Sequence, residues 1–168
     1  MAKTDTQLTK QVGEYLVAAE LARRGLLSAT FAGSVRHYDV IASGPTGGHV
    51  PIQVKTINGG AWQLDIRDFV EVAMDGNRQI VGAPKPAPYA KLVYVFVALQ
   101  AYGSDRLFIL AYESLRDLLL DGYKGYLARN REVRPKKPRS FHTTLKPQSL
   151  AEFRDCWDTI LQRVTHVA

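Results

Sequence analysis

The sequence predicts a single α/β domain over residues 1–168, and three observations support that prediction. A length of 168 residues suits one compact domain and is short for two. Apolar residues make up 46% of the chain, enough to bury a sizeable core, while charged residues make up 23%, close to the globular average. The predicted elements follow the order helix, strands, helix, basic loop and helix, which is typical of an α/β or α+β domain.

A helix is predicted over residues 5–24, with two apolar stripes at helical spacing. One stripe consists of Leu8, Val12, Leu16 and Ala19. The other consists of Glu14, Val17, Ala18 and Leu21. The polar positions elsewhere on the helical wheel are Lys10, Glu20, Arg23 and Arg24. Glu14 is therefore a carboxylate within an otherwise apolar stripe, which is an unusual position for a charged group.

Short strands are expected to follow this helix. Residues 26–31 are expected to be extended. A hairpin is then predicted from residues 38–42 and 50–57, because a Gly-Pro-Thr-Gly-Gly turn at 44–48 separates them. A second hairpin is predicted at residues 70–81 around the Asp75-Gly76 turn, with a short helix there as the alternative.

The second half of the chain alternates regular elements with loops. Residues 82–88 contain three prolines and are expected to form a loop, whereas residues 91–99 are predicted to be a central strand buried on both faces. Another strand is expected at 106–112 and a short helix at 113–120. A final helix should begin at the capping box of Ser149 and Glu152 and end near Val164.

The first hairpin gathers three functional side chains. Strand residues alternate between faces, so Gln53 and Lys55 project together while Ile52 and Val54 project the other way. If the strands pair symmetrically about the turn, Asp39 lies opposite Gln53 on the same face, within about 5 Å between Cβ atoms. That face needs a cover, and we expect the first helix to bring Glu14 to it.

These groups suit phosphodiester chemistry. Mg²⁺ prefers a few oxygen ligands and keeps several waters. Asp39 can supply a carboxylate oxygen, Gln53 an amide oxygen and Val54 its backbone carbonyl, while Glu14 can bind the metal directly or hold a metal-bound water. Lys55 can orient or deprotonate the attacking water, or stabilise charge that builds up on a phosphate.

The same residues resemble the signature of the PD-(D/E)XK nuclease superfamily. The segments VGEYLVAAELARRG, YDVIA and PIQVKT are similar to the branch that carries glutamine at the E-x-K step and includes the homing endonucleases of some group I introns. The resemblance implies a restriction-endonuclease-like core, with a mixed central sheet flanked by helices. It also implies a Mg²⁺- or Mn²⁺-dependent endonuclease acting on DNA.

By this resemblance, each site residue has a role. Asp39 would be the metal-binding acid, Gln53 would stand at the acidic position of E-x-K, Lys55 would be its lysine and Glu14 the helix acid. The sequence departs from the signature at two positions, because Tyr38 replaces a proline and Gln53 replaces a carboxylate. The second departure leaves the site with a formal charge near −1, and we expect it to lower metal affinity.

Residues 129–139, here called the basic segment, carry most of the net charge. The chain has a net charge of +6 and a pI near 9.5, which favours an anionic partner. The segment contains six basic side chains and one glutamate, together with two prolines. We expect it to grip phosphates of nucleic acid. The basic residues are Arg129, Arg131, Arg134, Lys136, Lys137 and Arg139.

Location and assembly are also expectations at this point. Cys156 is the single cysteine, which excludes an intramolecular disulfide and suits a reducing cytosol. The polar N-terminus shows no signal peptide, and the longest apolar run is far short of a membrane span, so we expect a cytoplasmic protein with no membrane partner. Cutting both strands of a duplex with one site per chain would need a homodimer or two encounters.

Two other functions remain open. One is a nucleic-acid-binding protein of the same fold without useful catalysis, which the glutamine at position 53 keeps in consideration. The other is a protein-interaction module, for which the basic segment would be dispensable. Only the nuclease and the nucleic-acid binder predict nucleic-acid affinity that weakens steeply as salt rises.

Overall fold

A computed structural model describes residues 6–31 and 36–165, and their contacts divide the chain into two compact units. The first unit comprises residues 1–62, 88–112 and 146–168, and the second comprises residues 63–87 and 113–145. The predicted single domain stays a prediction. The helices and strands are α1 (Thr6–Arg23), β1 (Leu27–Thr30), β2 (Val40–Ser43), β3 (His49–Ile57), β4 (Trp62–Asp65), β5 (Val70–Asp75), β6 (Arg78–Pro84), β7 (Val93–Ala98), β8 (Arg106–Ala111), α2 (Tyr112–Arg129), β9 (His142–Leu145) and α3 (Asp158–Thr165).

A mixed five-stranded sheet, in the order β1-β2-β3-β7-β8, forms the centre of the first unit. Strands β3 and β7 are parallel, and every other neighbouring pair is antiparallel. The predicted α/β class with a mixed central sheet is therefore confirmed. Every residue of β7 is buried, as expected for a central strand. The longest apolar run is thus a strand, and among the described residues no helix is long and apolar enough to cross a membrane.

Helix α1 packs on the sheet along one line of residues that are spaced four apart. Its buried residues are Thr9, Gly13, Val17 and Leu21. Leu8 and Val12 are 55% and 45% exposed, so the start of the first predicted stripe does not face the core, whereas Leu16 is partly buried and packs against it. The reason is that α1 lies very close to β3 at Gly13, where a Cβ would lie 1.8 Å from Thr56 Oγ1. The stripe that contains Glu14 is the one whose apolar members Val17 and Leu21 enter the core.

The face of the sheet that α1 covers also differs from expectation. Val17 and Leu21 share one core cluster with Ile52 and Val54. Thr56, which meets Gly13, has the same strand parity as those two residues. Helix α1 therefore packs on the face opposite to Gln53 and Lys55, and Glu14 approaches the predicted site without covering that face.

The C-terminal segment is divided instead of forming one helix. Residues Pro147–Phe153 form a 3₁₀ helix that contains Ser149, so the predicted capping box does not start an α-helix. The backbone N–H of Asp155 donates to the carbonyl of Leu107 in β8 (3.0 Å), and this sheet contact ends the 3₁₀ segment before α3 begins. The apolar face expected of this helix agrees better, because Leu150, Trp157, Ile160 and Val164 are buried and Phe153 and Leu161 are half-buried.

The second unit contains two strand pairs and most of α2. Strands β5 and β6 pair around the predicted turn, with Asp75 opposite Arg78, which confirms the second hairpin. Strand β6 runs to Pro84, so the loop predicted at 82–88 begins later; Pro84 is tolerated because it lies at the strand end, beyond a β-bulge. Helix α2 is longer than the predicted 113–120, because buried Tyr123 and Leu127 extend its packed face.

Candidate active site

The β2–β3 hairpin has the predicted register. Val40 pairs with Ile52 and Ser43 with His49, around a turn closed by a hydrogen bond from Gly44 N to Gly48 O (3.0 Å). The pairing continues one residue further, where the N–H of Asp39 donates to the carbonyl of Ile52 (2.8 Å). The side chain of Asp39 is therefore delivered to Gln53, as the sequence predicts.

Three of the predicted metal ligands contact one another. Asp39 Oδ2 accepts a hydrogen bond from the backbone N–H of Val54 (2.9 Å) and another from Gln53 Nε2. Gln53 Nε2 also lies 3.5 Å from the carbonyl oxygen of Val54. The carboxylate, the side-chain amide and the backbone carbonyl thus converge on one position. A half-turn of the terminal amide would present the oxygen of Gln53 there in place of its nitrogen.

Glu14 supplies a second carboxylate to this cluster. Its side chain is only 13% exposed. Burial, followed by the negative charge of Asp39, raises the pKa of Glu14 above its ordinary value, although Lys10 acts in the opposite direction. Two carboxylates are thus held close enough to repel each other in a partly desolvated position, which is the electrostatic setting that a cation relieves.

Lys10 is a site residue that the sequence prediction missed. Its Nζ lies 3.0 Å from Asp39 Oδ1 and 3.5 Å from Glu14 Oε1. The hydrogen bond to Asp39 is the main reason that the pKa of Lys10 is raised, and burial opposes it. The i, i+4 spacing of Lys10 and Glu14 was the available signal, since residues four apart are neighbours on a helix surface.

Lys55 lies two residues beyond Gln53 on the same strand face. Both side chains are half-buried, while the intervening Val54 is buried, as strand alternation requires. Within the described part of the chain, the Lys55 ammonium makes no hydrogen bond or ion pair, whereas its backbone carbonyl accepts from Trp62 Nε1 (2.9 Å). Trp62 is buried against Phe96 at 5.1 Å between ring centroids, so it is a core residue.

Aromatic rings position the residue before Asp39. Tyr38 stands where the signature has proline, and its ring makes edge contacts with Phe31 (5.5 Å between centroids) and with Tyr89 (5.2 Å). The preceding residue, His37, has a positive φ of 75°. Ring packing thus holds the backbone at the start of β2 where a proline ring would otherwise restrict it.

The oxygen atoms that could bind a metal ion here come from a side-chain amide and a backbone carbonyl as well as from two carboxylates. Over the described ranges, no group of three or more His, Cys, Asp or Glu side chains could hold a metal ion. Asp39 and Glu14 are the two acids of this cluster, and Gln53 and Val54 would supply neutral oxygens. The Lys10 ammonium beside the two acids makes the group less negative than the sequence predicts.

The basic segment lies in the second unit and is structured. Arg129 ends α2, and the following turn places Arg131 and Glu132 at positive φ angles of 55° and 62°. Glu132 forms an ion pair with Arg78, and Arg134 Nη1 donates to the carbonyl of His142 (2.5 Å). These contacts are all within the protein and do not test binding to nucleic acid. The predicted role of all six basic residues therefore stays a prediction.

Comparison with known proteins gives a structural likeness. No family model matches the chain, and no curated protein matches it. A solved structure of the bacterial homing endonuclease I-Ssp6803I is similar, with a TM-score of 0.54, 13% sequence identity and 96% of each chain covered. Identity at this level is evidence for the fold alone. On that evidence, the chain has a nuclease-like fold.

Proposed function

We propose that this protein is a metal-dependent endonuclease that hydrolyses phosphodiester bonds in DNA, of the glutamine branch of the PD-(D/E)XK superfamily. The observation that carries the proposal is the convergence of Asp39, Gln53 and the Val54 carbonyl beside Glu14, in a chain of nuclease-like fold. The likeness to a homing endonuclease supports the reaction class, and the side chains support the location of the site.

Mg²⁺ or Mn²⁺ fits the donor set, because all four donors are hard oxygens. Asp39, Gln53, the Val54 carbonyl and Glu14 would hold the ion. The pKa of Glu14 is raised first by burial and second by the negative charge of Asp39, and a cation at this position would offset the second cause. When bound, such an ion polarises a phosphoryl oxygen and lowers the pKa of a bound water.

The protein groups then have distinct tasks. The Val54 N–H fixes the orientation of the Asp39 carboxylate. Lys55 has an ammonium group that is not engaged within the described residues, so it is available to orient the attacking water or to donate to a phosphate oxygen whose charge increases in the transition state. Lys10 balances the charge of the two acids in the protein alone, and its ammonium is the group that a bound metal ion would displace.

A two-fold homodimer would extend this activity to both strands of a duplex. Each chain contains one such cluster of Asp39 and Gln53, and a single site cuts one strand per encounter. A two-fold axis is the common symmetry of soluble oligomers. Two copies related by such an axis would present their sites in opposite orientations, one for each of the two antiparallel strands.

A second candidate is a nucleic-acid-binding protein without catalysis. Gln53 favours it, because a neutral amide at the acidic position of the signature weakens the attraction for a divalent ion. The two candidates share the fold and the anionic partner and differ only in metal-dependent hydrolysis. A role in protein interaction would instead show neither cleavage nor salt-sensitive nucleic-acid binding.

The test is a cleavage assay on a panel of substrates. Supercoiled plasmid, linear duplex, single-stranded DNA, branched DNA and a structured RNA would be incubated with Mg²⁺ or Mn²⁺. Wild type would be compared with Lys55→Ala and Asp39→Ala, and with Lys146→Ala as a control at an exposed lysine. Metal-dependent cleavage lost only in the two site variants supports the nuclease. Salt-sensitive binding without cleavage, retained in all variants, supports the binder.

A further inference from the structure

A buried glutamine fastens the basic segment to the β5–β6 hairpin. The side-chain nitrogen of Gln79 donates to the carbonyls of Pro138 (2.5 Å) and Ser140 (3.0 Å), and its side-chain oxygen accepts from the hydroxyl of Tyr123. The backbone N–H of Gln79 donates to the carbonyl of Glu132 (2.9 Å). Gln79 thus contacts the basic segment near both of its ends, at Glu132 and at Pro138. These contacts fix the conformation of the basic segment in the protein alone.

An open cavity of about 640 Å³ lies against the fastened segment. Arg67, Lys137 and Arg139 contribute positive charge to its wall, and no acidic residue lines it. Within the described residues, the charged ends of Lys137 and Arg139 have no hydrogen bond or ion pair. Two cations therefore face a cavity of ligand size without a protein anion to neutralise them.

One wall of this cavity is a preformed flat surface. The guanidinium of Arg67 lies over the ring of Phe141 at 4.4 Å, and two hydrogen bonds to the carboxylate of Asp65 hold that guanidinium in place. The carbonyl of Phe141 accepts from the N–H of Ile66 (2.9 Å), which fixes its backbone. Aromatic and guanidinium planes are the surfaces on which nucleic-acid bases stack.

A second cavity, of about 360 Å³, repeats the combination of charge and aromatic ring. Arg134 lies 5.5 Å from the ring centroid of Tyr126, and both residues line this cavity with Lys136. Lys137 and Ser140 line both cavities, so the two are adjacent. Two ring-and-cation surfaces thus lie along one fixed stretch of chain.

We propose that the two cavities bind a single-stranded segment of nucleic acid. Lys137 and Arg139 contact backbone phosphates, while Phe141 and Tyr126 contact bases. An unpaired strand is the fitting ligand, because ring stacking needs base faces that a duplex conceals. The proposal rests on the proposed function for its biological role and deepens it, since it assigns an unpaired strand as part of the substrate.

Binding in the absence of divalent metal tests the proposal separately from catalysis. Fluorescence anisotropy in EDTA would follow a labelled oligothymidylate bound to the full chain, over a series of salt concentrations. Lys137→Gln/Arg139→Gln would be compared with Lys124→Gln/Lys146→Gln, which removes the same charge at exposed positions. The affinity of the first variant should fall about tenfold. The slope of its log affinity against log salt concentration should become less steep by about 1.4, since each contact with a single-strand phosphate contributes about 0.7. The control should stay near wild type.

Phe141→Leu keeps an apolar side chain and removes the ring. Its affinity for the oligothymidylate should fall at least about fivefold, and its affinity for a blunt duplex should change little. Equal affinity of the two double variants would overturn the site, as would unchanged binding by Phe141→Leu. If the protein cleaves DNA with metal but the two double variants bind the oligothymidylate equally well, this site is rejected and the proposed nuclease activity is not. Loss of binding in the first variant, in a protein that never cleaves, would reject the nuclease and support the site.

Discussion

The Nζ of Lys10 lies 3.0 Å from Oδ1 of Asp39, so an ammonium from α1 occupies the position beside the central acid of the site. The same ammonium is 3.5 Å from Glu14. The two acids are therefore balanced by a protein cation, which a divalent ion would have to displace. Under the proposed function, metal affinity would depend on Lys10, which is not itself a proposed metal ligand.

Replacement of Lys10 should strengthen metal binding. In Lys10→Met, Mn²⁺ no longer competes with an ammonium for Asp39, so we expect tighter Mn²⁺ binding by isothermal titration calorimetry. In EDTA the same variant should lose about 1–3 kcal/mol of unfolding free energy, because the ammonium is removed from two carboxylates that are only 8% and 13% exposed. Lys146→Met provides the control, and weaker Mn²⁺ binding by Lys10→Met would contradict the competition.

Metal affinity should rise with pH in a way that depends on Glu14. Its pKa is raised from the ordinary value of 4.5, so protons compete with the metal in the window that extends upward from that value. We expect the Mn²⁺ affinity of wild type to increase through this window and that of Glu14→Gln to be nearly flat. A wild-type affinity that falls as pH rises would contradict this prediction.

The same carboxylate should reduce stability above that window when metal is absent. The folded state binds the Glu14 proton more tightly than the unfolded state, so the free energy of unfolding falls as pH rises from the unfolded pKa through the raised folded pKa. Thermal unfolding in EDTA should show Glu14→Gln gaining stability relative to wild type between acidic and neutral pH. A difference that stays constant with pH would exclude Glu14 as the titrating group.

A carboxylate at position 53 should increase both metal affinity and instability without metal. Gln53→Glu adds a negative charge beside Asp39 and replaces the donor to its carboxylate, so unfolding in EDTA should cost about 1–3 kcal/mol less. Mn²⁺ should restore most of that stability and bind more tightly than to wild type. Gln148→Glu, at an exposed position, is the control and should show neither effect.

Gly13 should not tolerate a side chain. In Gly13→Ala the new Cβ would lie 1.8 Å from Thr56 Oγ1, and overpacking of this kind costs about 1–3 kcal/mol of unfolding free energy. Thr56→Ala should rescue part of this loss, since it removes the Oγ1 contact without breaking a hydrogen bond in the described residues, but its Cβ would still lie 2.9 Å from the new Cβ. Gly122→Ala in α2 meets no atom within 4 Å and should stabilise by about 0.5–1 kcal/mol. Denaturant unfolding compares all of these variants.

The hairpin was predictable because its information is local. Strand alternation puts Gln53 and Lys55 on one face, and the glycine-rich turn fixes the register that brings Asp39 to Gln53. The face of α1 was not predictable from apolar spacing, because exposed Leu8 and Val12 follow the helical period as well as Val17 does. The close approach at Gly13 decides between them, and it depends on a tertiary contact.

The structure of the C-terminal segment also depends on a tertiary contact and could not be predicted from local sequence. Ser149 has the local pattern of a helix start, yet the hydrogen bond from Asp155 to β8 divides that segment. Lys10 illustrates a different cause, since its distance from Asp39 follows from where α1 crosses the sheet. Local chemistry thus predicted the acids and the amide, while the cation beside them required the packed structure.

The most direct measurement is the rate of plasmid nicking by wild type and by Asp39→Asn, with Mg²⁺ and with EDTA. Asparagine keeps the shape of Asp39 and removes its charge, and thermal unfolding would show that both proteins are folded. A metal-dependent site at Asp39 predicts that wild type nicks plasmid with Mg²⁺ but not with EDTA. The rate should be at least about a hundredfold lower in Asp39→Asn, as for removal of a catalytic electrostatic group. Equal nicking by both proteins, or nicking that persists in EDTA, would contradict a metal-dependent site at Asp39.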